Sequence, residues 1–326
     1  MLSQLLTNPD FYNAAIRLTA PLLLAALGGL ICERAGVLNL GLEGMMLTGA
    51  FFGYLGSLYT QSVVLGLLIA ALSGGALATV HAYFSITIRV NQIVTALGLN
   101  MLALGVTSTL FRFIFGTDLK QLQSPGMVPV KLGFLSEIPI IGPIFFSQLP
   151  IVYFAIALIV IIHFLLYHSK WGLSIRAAGE HPKALDLAGI DVIKVRYSAV
   201  IISGVLAGLG GAAITLGGIN TFYDNITAGR GFIAFAAIVF GKWTPVGTAL
   251  ATLLFGMGDA LQLRLQAFNI QAIPYQFFLM LPYLITLVAL VFMGPSKGPA
   301  ASGVPYAREQ GQSKRKKLIK DKVTEV

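Results

Sequence analysis

Long apolar segments separated by short polar ones run along almost the whole chain. Their approximate limits are 14–32, 37–59, 62–88, 91–115, 149–167, 197–217, 231–241, 246–264 and 273–293. A helix needs about 20 apolar residues to cross a bilayer, and most of these segments are that long. The apolar runs are continuous rather than alternating, which argues against a transmembrane β-barrel. The pattern predicts an all-α polytopic membrane protein with about nine transmembrane segments, within a range of about eight to ten.

One polar island interrupts this pattern between two apolar segments. It extends from Lys170 to Arg196, carries five basic residues and contains helix-forming residues followed by Gly189. Lys and Arg resist export across an energised membrane, so a basic loop between two spans stays in the cytoplasm. A short cytoplasmic helix on a membrane domain predicts a contact site through which a soluble partner moves that domain. We define residues 168–196 as the coupling loop.

The charged and proline-rich stretches fix an expected topology. The stretch 117–148 contains four prolines and is predicted to be an external loop. The tail 297–326 holds eight basic and three acidic residues, which is typical of a cytoplasmic segment beside anionic lipid. Residues 1–296 then form the transmembrane domain, with the N-terminus outside and the C-terminus in the cytoplasm.

Composition agrees with this class. The 326 residues are 56% hydrophobic and 11% charged, whereas soluble domains carry about 25% charged residues. The net charge of +9 is concentrated in the tail and does not indicate a nucleic-acid partner. The single Cys32 excludes a disulfide framework and a cysteine-based metal site. The N-terminus lacks the basic start of a signal peptide, so we expect the first span to be retained.

Two glycine-rich stretches resemble each other, one from Gly29 to Gly53 and one from Gly217 to Gly241. Both pass through a polar-spotted region into an apolar helix of small residues, and the predicted topology inserts them from opposite sides. This is the pattern of an inverted repeat, in which paired interrupted segments indicate the substrate pathway. A composition common to membrane helices is the alternative explanation.

Polar and aromatic side chains at these breaks are candidates for the substrate path. They are Asn39, Glu43, Asn100, Phe222, Tyr223 and Arg230. Asn39 and Glu43 share a face if a helix has restarted there, so Asn39 either lines the path or caps the following helix. The aromatic side chains either stack on a substrate ring or belong to the core.

Other polar residues favour structural roles. Glu33 and Arg34 are expected at the cytoplasmic interface, where a charge costs little. Asn91 is expected to start a helix. Asp259 and Arg264 are expected to pair with each other or with charges of the outer loops.

Motifs for enzymatic chemistry are missing from the sequence. The four histidines form no metal-binding spacing. The segment Phe240-Gly241-Lys242-Trp243 has Trp243 where a P-loop needs Ser or Thr, and Ala236 where it needs Gly. The chain is therefore predicted not to be an enzyme, and any ATP-driven motor is another polypeptide.

Three runs carry a family resemblance: ERAGVLNLGLEGMMLTGAF, RAAGEHPKALDLAGIDVIKVRY and TAGRGFIAFAAIVFGKWTPVG. They resemble the permease subunit of bacterial ABC importers, in the branched-chain amino acid and simple-sugar permease family. The nearest branch serves nucleoside uptake with a lipoprotein receptor. The resemblance extends from about residue 14 to residue 294.

The resemblance implies a multi-pass protein of the bacterial cytoplasmic membrane that works with partners. These are an ABC ATPase subunit, a second permease expected to be a sister chain, and an extracytoplasmic substrate-binding lipoprotein. ATP and magnesium would be bound by the ATPase, and no cofactor by this chain. The coupling loop resembles the loop of importer permeases that docks in the ATPase, although it lacks the terminal Leu-Pro, with matching positions at Gly179, Glu180, Ala184 and Gly189.

The resemblance favours nucleosides as the substrate, and a neutral ligand suits a path with few fixed charges. Import of a simple sugar by the same machinery is an alternative. A secondary transporter driven by an ion gradient is another, and it would depend on an intramembrane carboxylate such as Glu43 or Asp259. A membrane-embedded enzyme or scaffold, acting without an ATPase, is the last.

Overall fold

A computed structural model describes residues 9–116, 123–131, 133, 136, 138, 141–267, 280, 284 and 297–307. Within these residues the chain forms eleven α-helices and one two-stranded sheet. The helices are α1 (Pro9–Arg34), α2 (Leu42–Thr60), α3 (Val63–Ala82), α4 (Gln92–Phe115), α5 (Ile141–Phe145), α6 (Pro150–His168), α7 (Lys170–Glu180), α8 (Pro182–Leu187), α9 (Val192–Ile214), α10 (Arg230–Phe240) and α11 (Pro245–Ala267). Strands β1 (Val130–Lys131) and β2 (Ser147–Gln148) pair antiparallel, with Val130 opposite Gln148.

Two of the long helices end in a wider turn. A π-helical turn, Tyr83–Ile88, continues α3, and another, Thr215–Ile219, continues α9. Such turns loosen the backbone ladder and occur often at functional sites. Each is followed by a residue in the left-handed conformation, Arg89 or Asn220, where the helix stops.

Six of the described helical segments are long and apolar enough to cross a membrane: Pro9–Arg34, Val63–Ile88, Gln92–Phe115, Pro150–His168, Val192–Ile219 and Pro245–Gln266. They confirm the prediction of an all-α polytopic membrane protein. The predicted segment 273–293 lies outside the described residues.

Local sequence explains where several of these helices begin. The Asn91 side chain accepts hydrogen bonds from the amides of Ile93 and Val94, so it caps α4 as predicted. Asp191 caps α9 in the same way. A cap satisfies amides at the helix start that have no partner within the helix.

The helices form an inner and an outer set. Most side chains of α1, α2 and α9 are buried. Helices α3, α4 and α6 instead present large apolar side chains outward, for example Leu72, Met101 and Phe164. In an aqueous protein these faces would be unfavourable, but in a membrane protein they contact lipid.

Small residues let the inner helices approach closely. A Cβ atom on Gly49 of α2 would lie 2.3 Å from the Cα of Gly208 in α9. A Cβ on Gly208 would lie 2.3 Å from the carbonyl oxygen of Ala70 in α3. Glycine therefore sets the spacing of α2, α3 and α9, as is common where membrane helices pack.

The bundle has two ends. At the loop end, which we define by α7 and α8, Arg34 closes α1 and donates from Nε to the carbonyl oxygen of Trp243 at 2.7 Å. At the opposite end, Asn13 of α1 donates to the carbonyl oxygen of Pro143 at 2.8 Å. Arg264 there lies 3.9 Å from Asp10. Among the described residues, Arg264 therefore pairs with Asp10 in the first turn of α1 and not with Asp259.

Candidate functional site

Two non-helical segments each connect a long helix to the helix that follows it. Residues 35–41 separate α1 from α2, and residues 220–229 separate α9 from α10. We call them the first break and the second break. They lie in the two glycine-rich stretches that the sequence singled out. The N-terminal ends of α2 and α10 meet, because a Cβ atom on Gly231 would lie 2.3 Å from the backbone nitrogen of Glu43.

The Glu43 carboxylate joins the two breaks. Its Oε1 accepts hydrogen bonds from the Thr227 hydroxyl at 2.5 Å and the Gly229 amide at 2.9 Å, and its Oε2 accepts one from the Gly231 amide at 2.7 Å. Gly229 has a φ of +85° and provides no side chain to cap α10. Glu43 therefore caps α10 from another helix, where a negative charge also compensates the positive end of the helix dipole.

Side chains from α3 and α4 satisfy the backbone of the first break. Gln92 accepts from the amide of Leu38 at 2.8 Å, and His81 Nε2 donates to the carbonyl oxygen of Leu38 at 3.0 Å. Asn100 donates to the carbonyl oxygen of Leu40 at 3.0 Å and accepts from the Gly44 amide at 2.8 Å. Unwound backbone at membrane depth persists only when its polar groups are paired in this way.

Asn39 is completely buried within the first break. Its side-chain amide donates to the Ser203 hydroxyl at 3.0 Å, and its Oδ1 has no hydrogen-bond partner among the described residues. Helix α2 begins only at Leu42, after Gly41, so Asn39 neither caps it nor shares a helix face with Glu43. The hydrogen bond instead ties the first break to α9.

Glu33 corrects an expectation from the sequence. It was predicted at the membrane interface, but only 1% of it is exposed. Its Oε1 accepts from the Asn39 amide at 3.3 Å, and its Oε2 accepts from the Ser302 hydroxyl at 3.4 Å. Ser302 lies 269 positions further along the chain, so a local reading of the sequence could not anticipate this contact.

The two neighbouring aromatic residues of the second break have different surroundings. Phe222 is completely buried and packs against Phe51, Tyr54 and Phe111. Tyr223 is 45% exposed. Phe222 thus belongs to the core, and Tyr223 is free to meet a ligand.

Tyr223 and Arg230 both line a cavity of about 390 Å³. Its other walls come from α1, the start of α6, the π-helical end of α9, and Leu263 of α11. Arg17 of α1 is a third polar contributor, held by hydrogen bonds to Gln148 Oε1 and the Ser147 carbonyl oxygen at 3.2 Å each. Sequence reasoning missed Arg17, although an arginine inside a predicted span is a signal for such a role.

Two larger cavities, of about 630 and 570 Å³, are lined almost wholly by apolar side chains. Ligand sites combine apolar walls with a few placed polar groups. The cavity at Tyr223 meets that description, whereas the larger two resemble lipid-facing grooves.

The four positions predicted to couple to an ATPase differ in their surroundings. Gly179 packs against the end of α1, where a Cβ would lie 2.2 Å from the Arg34 carbonyl oxygen. Glu180 accepts from the Ala300 amide at 3.3 Å. Ala184 and Gly189 are exposed. Gly179 is therefore buried against the rest of this chain, whereas Glu180, Ala184 and Gly189 are exposed, and Glu180 also binds a residue of the C-terminal region.

Two exposed apolar side chains lie beside Ala184 and Gly189. Leu187 is 90% exposed and Ile190 is 39% exposed. Sequence reasoning did not single them out, because apolar residues at helical spacing usually point to a core. Large apolar side chains exposed beyond the spanning helices mark a contact surface.

A multi-pass helical bundle with two paired breaks beside a cavity that contains polar side chains is typical of membrane transport proteins. The sequence profile of the family described as branched-chain amino acid transport system, permease component, matches residues 12–290. The chain belongs to this family.

Relatives with similar sequences carry names that agree. The guanosine ABC transporter permease protein NupQ of Bacillus subtilis is 40% identical over 90% of this chain and 95% of its own length. The nucleoside ABC transporter permease protein NupC of Lactococcus lactis is 35% identical, with the same coverage. The putative glucose ABC transporter permease protein TsgC13 of Haloferax volcanii is 40% identical over 80% of this chain and 79% of its own length. In each of these organisms a second, more distant ABC transporter permease also matches, at 23–27% identity.

No solved structure matches the chain at a significant level. Family membership confirms the predicted resemblance and makes the chain a multi-pass permease of the cytoplasmic membrane. It also confirms that the chain is not an enzyme, because ATP hydrolysis in ABC transporters belongs to a separate subunit. Association with that ATPase and with a substrate-binding protein follows from the family.

Proposed function

We propose that this chain is the membrane-spanning subunit of an ATP-driven importer of nucleosides. The observation that carries the proposal is the 40% identity to a guanosine permease along 95% of that relative. The described structure agrees with a substrate that has an aromatic ring and hydrogen-bond acceptors, because the cavity at Tyr223 combines apolar walls with an aromatic ring and two arginines.

In this proposal Tyr223 and Arg230 contact the substrate, together with Arg17. The tyrosine ring offers a face for stacking on a base, and base–aromatic stacking contributes about 1–3 kcal/mol. The guanidinium groups donate hydrogen bonds to base carbonyl or ribose hydroxyl oxygens. In this proposal Asn39, Glu43 and Asn100 do not contact the substrate. They stabilise the two breaks that flank the substrate path.

The proposed topology has nine crossings, with the N-terminus outside and the C-terminus in the cytoplasm. This count combines the six long apolar helical segments, the helices α2 and α10 that follow the breaks, and the apolar segment 273–293 of the sequence. An inverted repeat relates α1, the first break and α2 to α9, the second break and α10. Helix α1 ends at the loop end, whereas α9 begins there, which supports opposite orientations.

For coupling, we infer that the outward surface of α8 and the following turn docks in the ATPase. That surface comprises Ala184, Leu187, Gly189 and Ile190, while Gly179 and Glu180 pass its movement to the membrane domain. The ATPase binds ATP and magnesium, and this chain binds no cofactor. The second permease is a sister chain, which is supported by the pairs of permeases that match in three organisms.

The test is uptake of radiolabelled guanosine by vesicles that contain this chain with its sister permease, ATPase and receptor. We expect uptake that requires hydrolysable ATP and is not reduced by excess glucose. Competition by glucose would indicate that the substrate is a sugar rather than a nucleoside and would leave the ATP-driven mechanism unchanged. Uptake driven by an ion gradient without ATP would refute the importer assignment.

A further inference from the structure

Residues 297–307, which we call the strap, lie against the coupling helices. The Ala301 amide donates to the carbonyl oxygen of Gly179 at 2.8 Å. The Tyr306 hydroxyl donates to Asp186 of α8 at 2.9 Å. Together with the hydrogen bond from Ala300 to Glu180, these contacts bind the strap to both α7 and α8.

The same segment binds the first break. The Gly303 amide donates to the carbonyl oxygen of Gly36 at 3.2 Å, and the Ser302 hydroxyl donates to Glu33 at 3.4 Å. Gly298 lies against the ring of Trp243, which follows α10. The strap therefore connects the coupling helices to the first break and to the segment beyond the second.

Arg196 of α9 binds both the strap and α7. It is 1% exposed, and it donates from Nη1 to the carbonyl oxygen of Val304 at 3.0 Å and from Nη2 to that of Ala178 at 3.2 Å. No ion pair of Arg196 occurs among the described residues. Burial of a charge without a counter-ion is costly, so packing alone would favour an apolar residue here. The guanidinium is suited instead to holding the strap and α7 together.

We propose that the strap transmits movement from α7 and α8 to the first break, with Arg196 as its positioning residue. The inference rests on the proposed ATP-driven function. When the ATPase moves the coupling helices, the strap moves with them and pulls on Gly36 and Glu33. A direct contact between Gly179 and the end of α1 also exists, so the experiment must show that the strap is needed as well.

Cys32 is a built-in reporter for the first break, because it is the chain's single cysteine and its thiol donates to the carbonyl oxygen of Val37 at 3.3 Å. It is fully buried, so a thiol reagent labels it only when the break opens. In the assembled complex, labelling of this chain is followed by mass spectrometry with and without a non-hydrolysable ATP analogue. We expect the analogue to change the labelling rate about tenfold, the effect of making or breaking a hydrogen bond to the break.

Two truncations form a matched pair. Ending the chain after residue 307 removes the basic tail and keeps the strap, whereas ending it after residue 296 removes both. We expect the first to retain the response of Cys32 to nucleotide and the second to lose it, while both hydrolyse ATP. An unchanged response in the assembled strap-less complex would overturn the proposal.

Arg196→Met gives an independent test if the chain that ends after residue 296 fails to assemble. Methionine keeps an unbranched apolar stem but is shorter and lacks the guanidinium that makes both hydrogen bonds, so we expect fewer nucleosides imported per ATP and a weaker Cys32 response. Tyr306→Phe should act in the same direction with a smaller effect. Normal values in both variants would count against the strap.

The measurements distinguish failure of the proposed nucleoside import from failure of the proposed role of the strap. A Cys32 response that is lost with the strap, observed without guanosine uptake, would refute the proposed substrate and support the strap. Uptake without any Cys32 response in the intact complex would support the importer and refute transmission through the strap to the first break.

Discussion

Replacing Glu43 with glutamine keeps the shape of the side chain and removes its charge. The amide retains one oxygen acceptor, but its NH₂ group then faces backbone amides that also donate. In the wild-type chain the carboxylate accepts from Thr227, Gly229 and Gly231. The substitution therefore tests whether the meeting of α2 and α10 depends on this carboxylate.

The expected loss follows from these contacts. A hydrogen bond to a charged group contributes about 1.5–3 kcal/mol, and an unpaired buried donor is costly. An anion at a helix N-terminus adds about 0.3–1 kcal/mol. Because the amide oxygen still accepts at least one bond, we expect Glu43→Gln to lower the free energy of unfolding by about 3 kcal/mol. Thr227→Val, which removes one donor, should lower it by about 1.5 kcal/mol.

The measurement is urea-induced unfolding of the purified chain in detergent micelles, followed by circular dichroism. Asp224→Asn is the matched control, because Asp224 pairs with Arg112 at 3.1 Å on an exposed surface. Such a pair contributes less than about 1 kcal/mol. Guanosine uptake is measured with the same variants.

A stable Glu43→Gln variant that does not transport would refute this reasoning. The carboxylate would then act on a ligand or a coupled ion rather than as a cap for α10. An unchanged stability of Thr227→Val would point the same way, because its hydroxyl makes the shortest of the three contacts.

Three further predictions concern packing, substrate and coupling. Gly208→Ala should destabilise the chain by about 1–3 kcal/mol, because the new methyl overlaps the backbone of α3, whereas Gly98→Ala points into open space and should be neutral in the same unfolding assay; equal effects would refute the packing account. Tyr223→Ala should weaken guanosine binding about tenfold and Tyr223→Phe only slightly, as measured by the dependence of uptake on concentration; a larger loss in the phenylalanine variant would show that the hydroxyl matters more than the ring. Leu187→Asp should reduce ATPase binding in a pull-down without altering stability, because the side chain is 90% exposed; normal binding would remove α8 from the docking surface.

Properties that depend on local composition were predictable from the sequence. The apolar runs, the basic loop and the Asn91 cap each need only neighbouring residues, and the structure contains helices in the expected places. The two breaks were also predictable, because glycine and polar residues interrupt an apolar run wherever it folds. The boundary between the transmembrane domain and the tail at residue 297 stays a prediction, and the strap that begins there packs on the loop end.

Properties that depend on distant partners were decided by the tertiary structure. The residues that satisfy Glu43 follow it by 184 to 188 positions, and nothing in the sequence near Glu43 indicates them. The same holds for the hydrogen bond between Glu180 and the strap, and for Phe222, which the sequence left open as a ligand contact or a core residue and which lies in the core. Hydrophobicity and charge determine whether a segment enters the membrane, because transfer from water is a property of the segment itself. Which polar groups meet inside the bundle depends on how the helices pack, and that is decided only when the whole chain has folded.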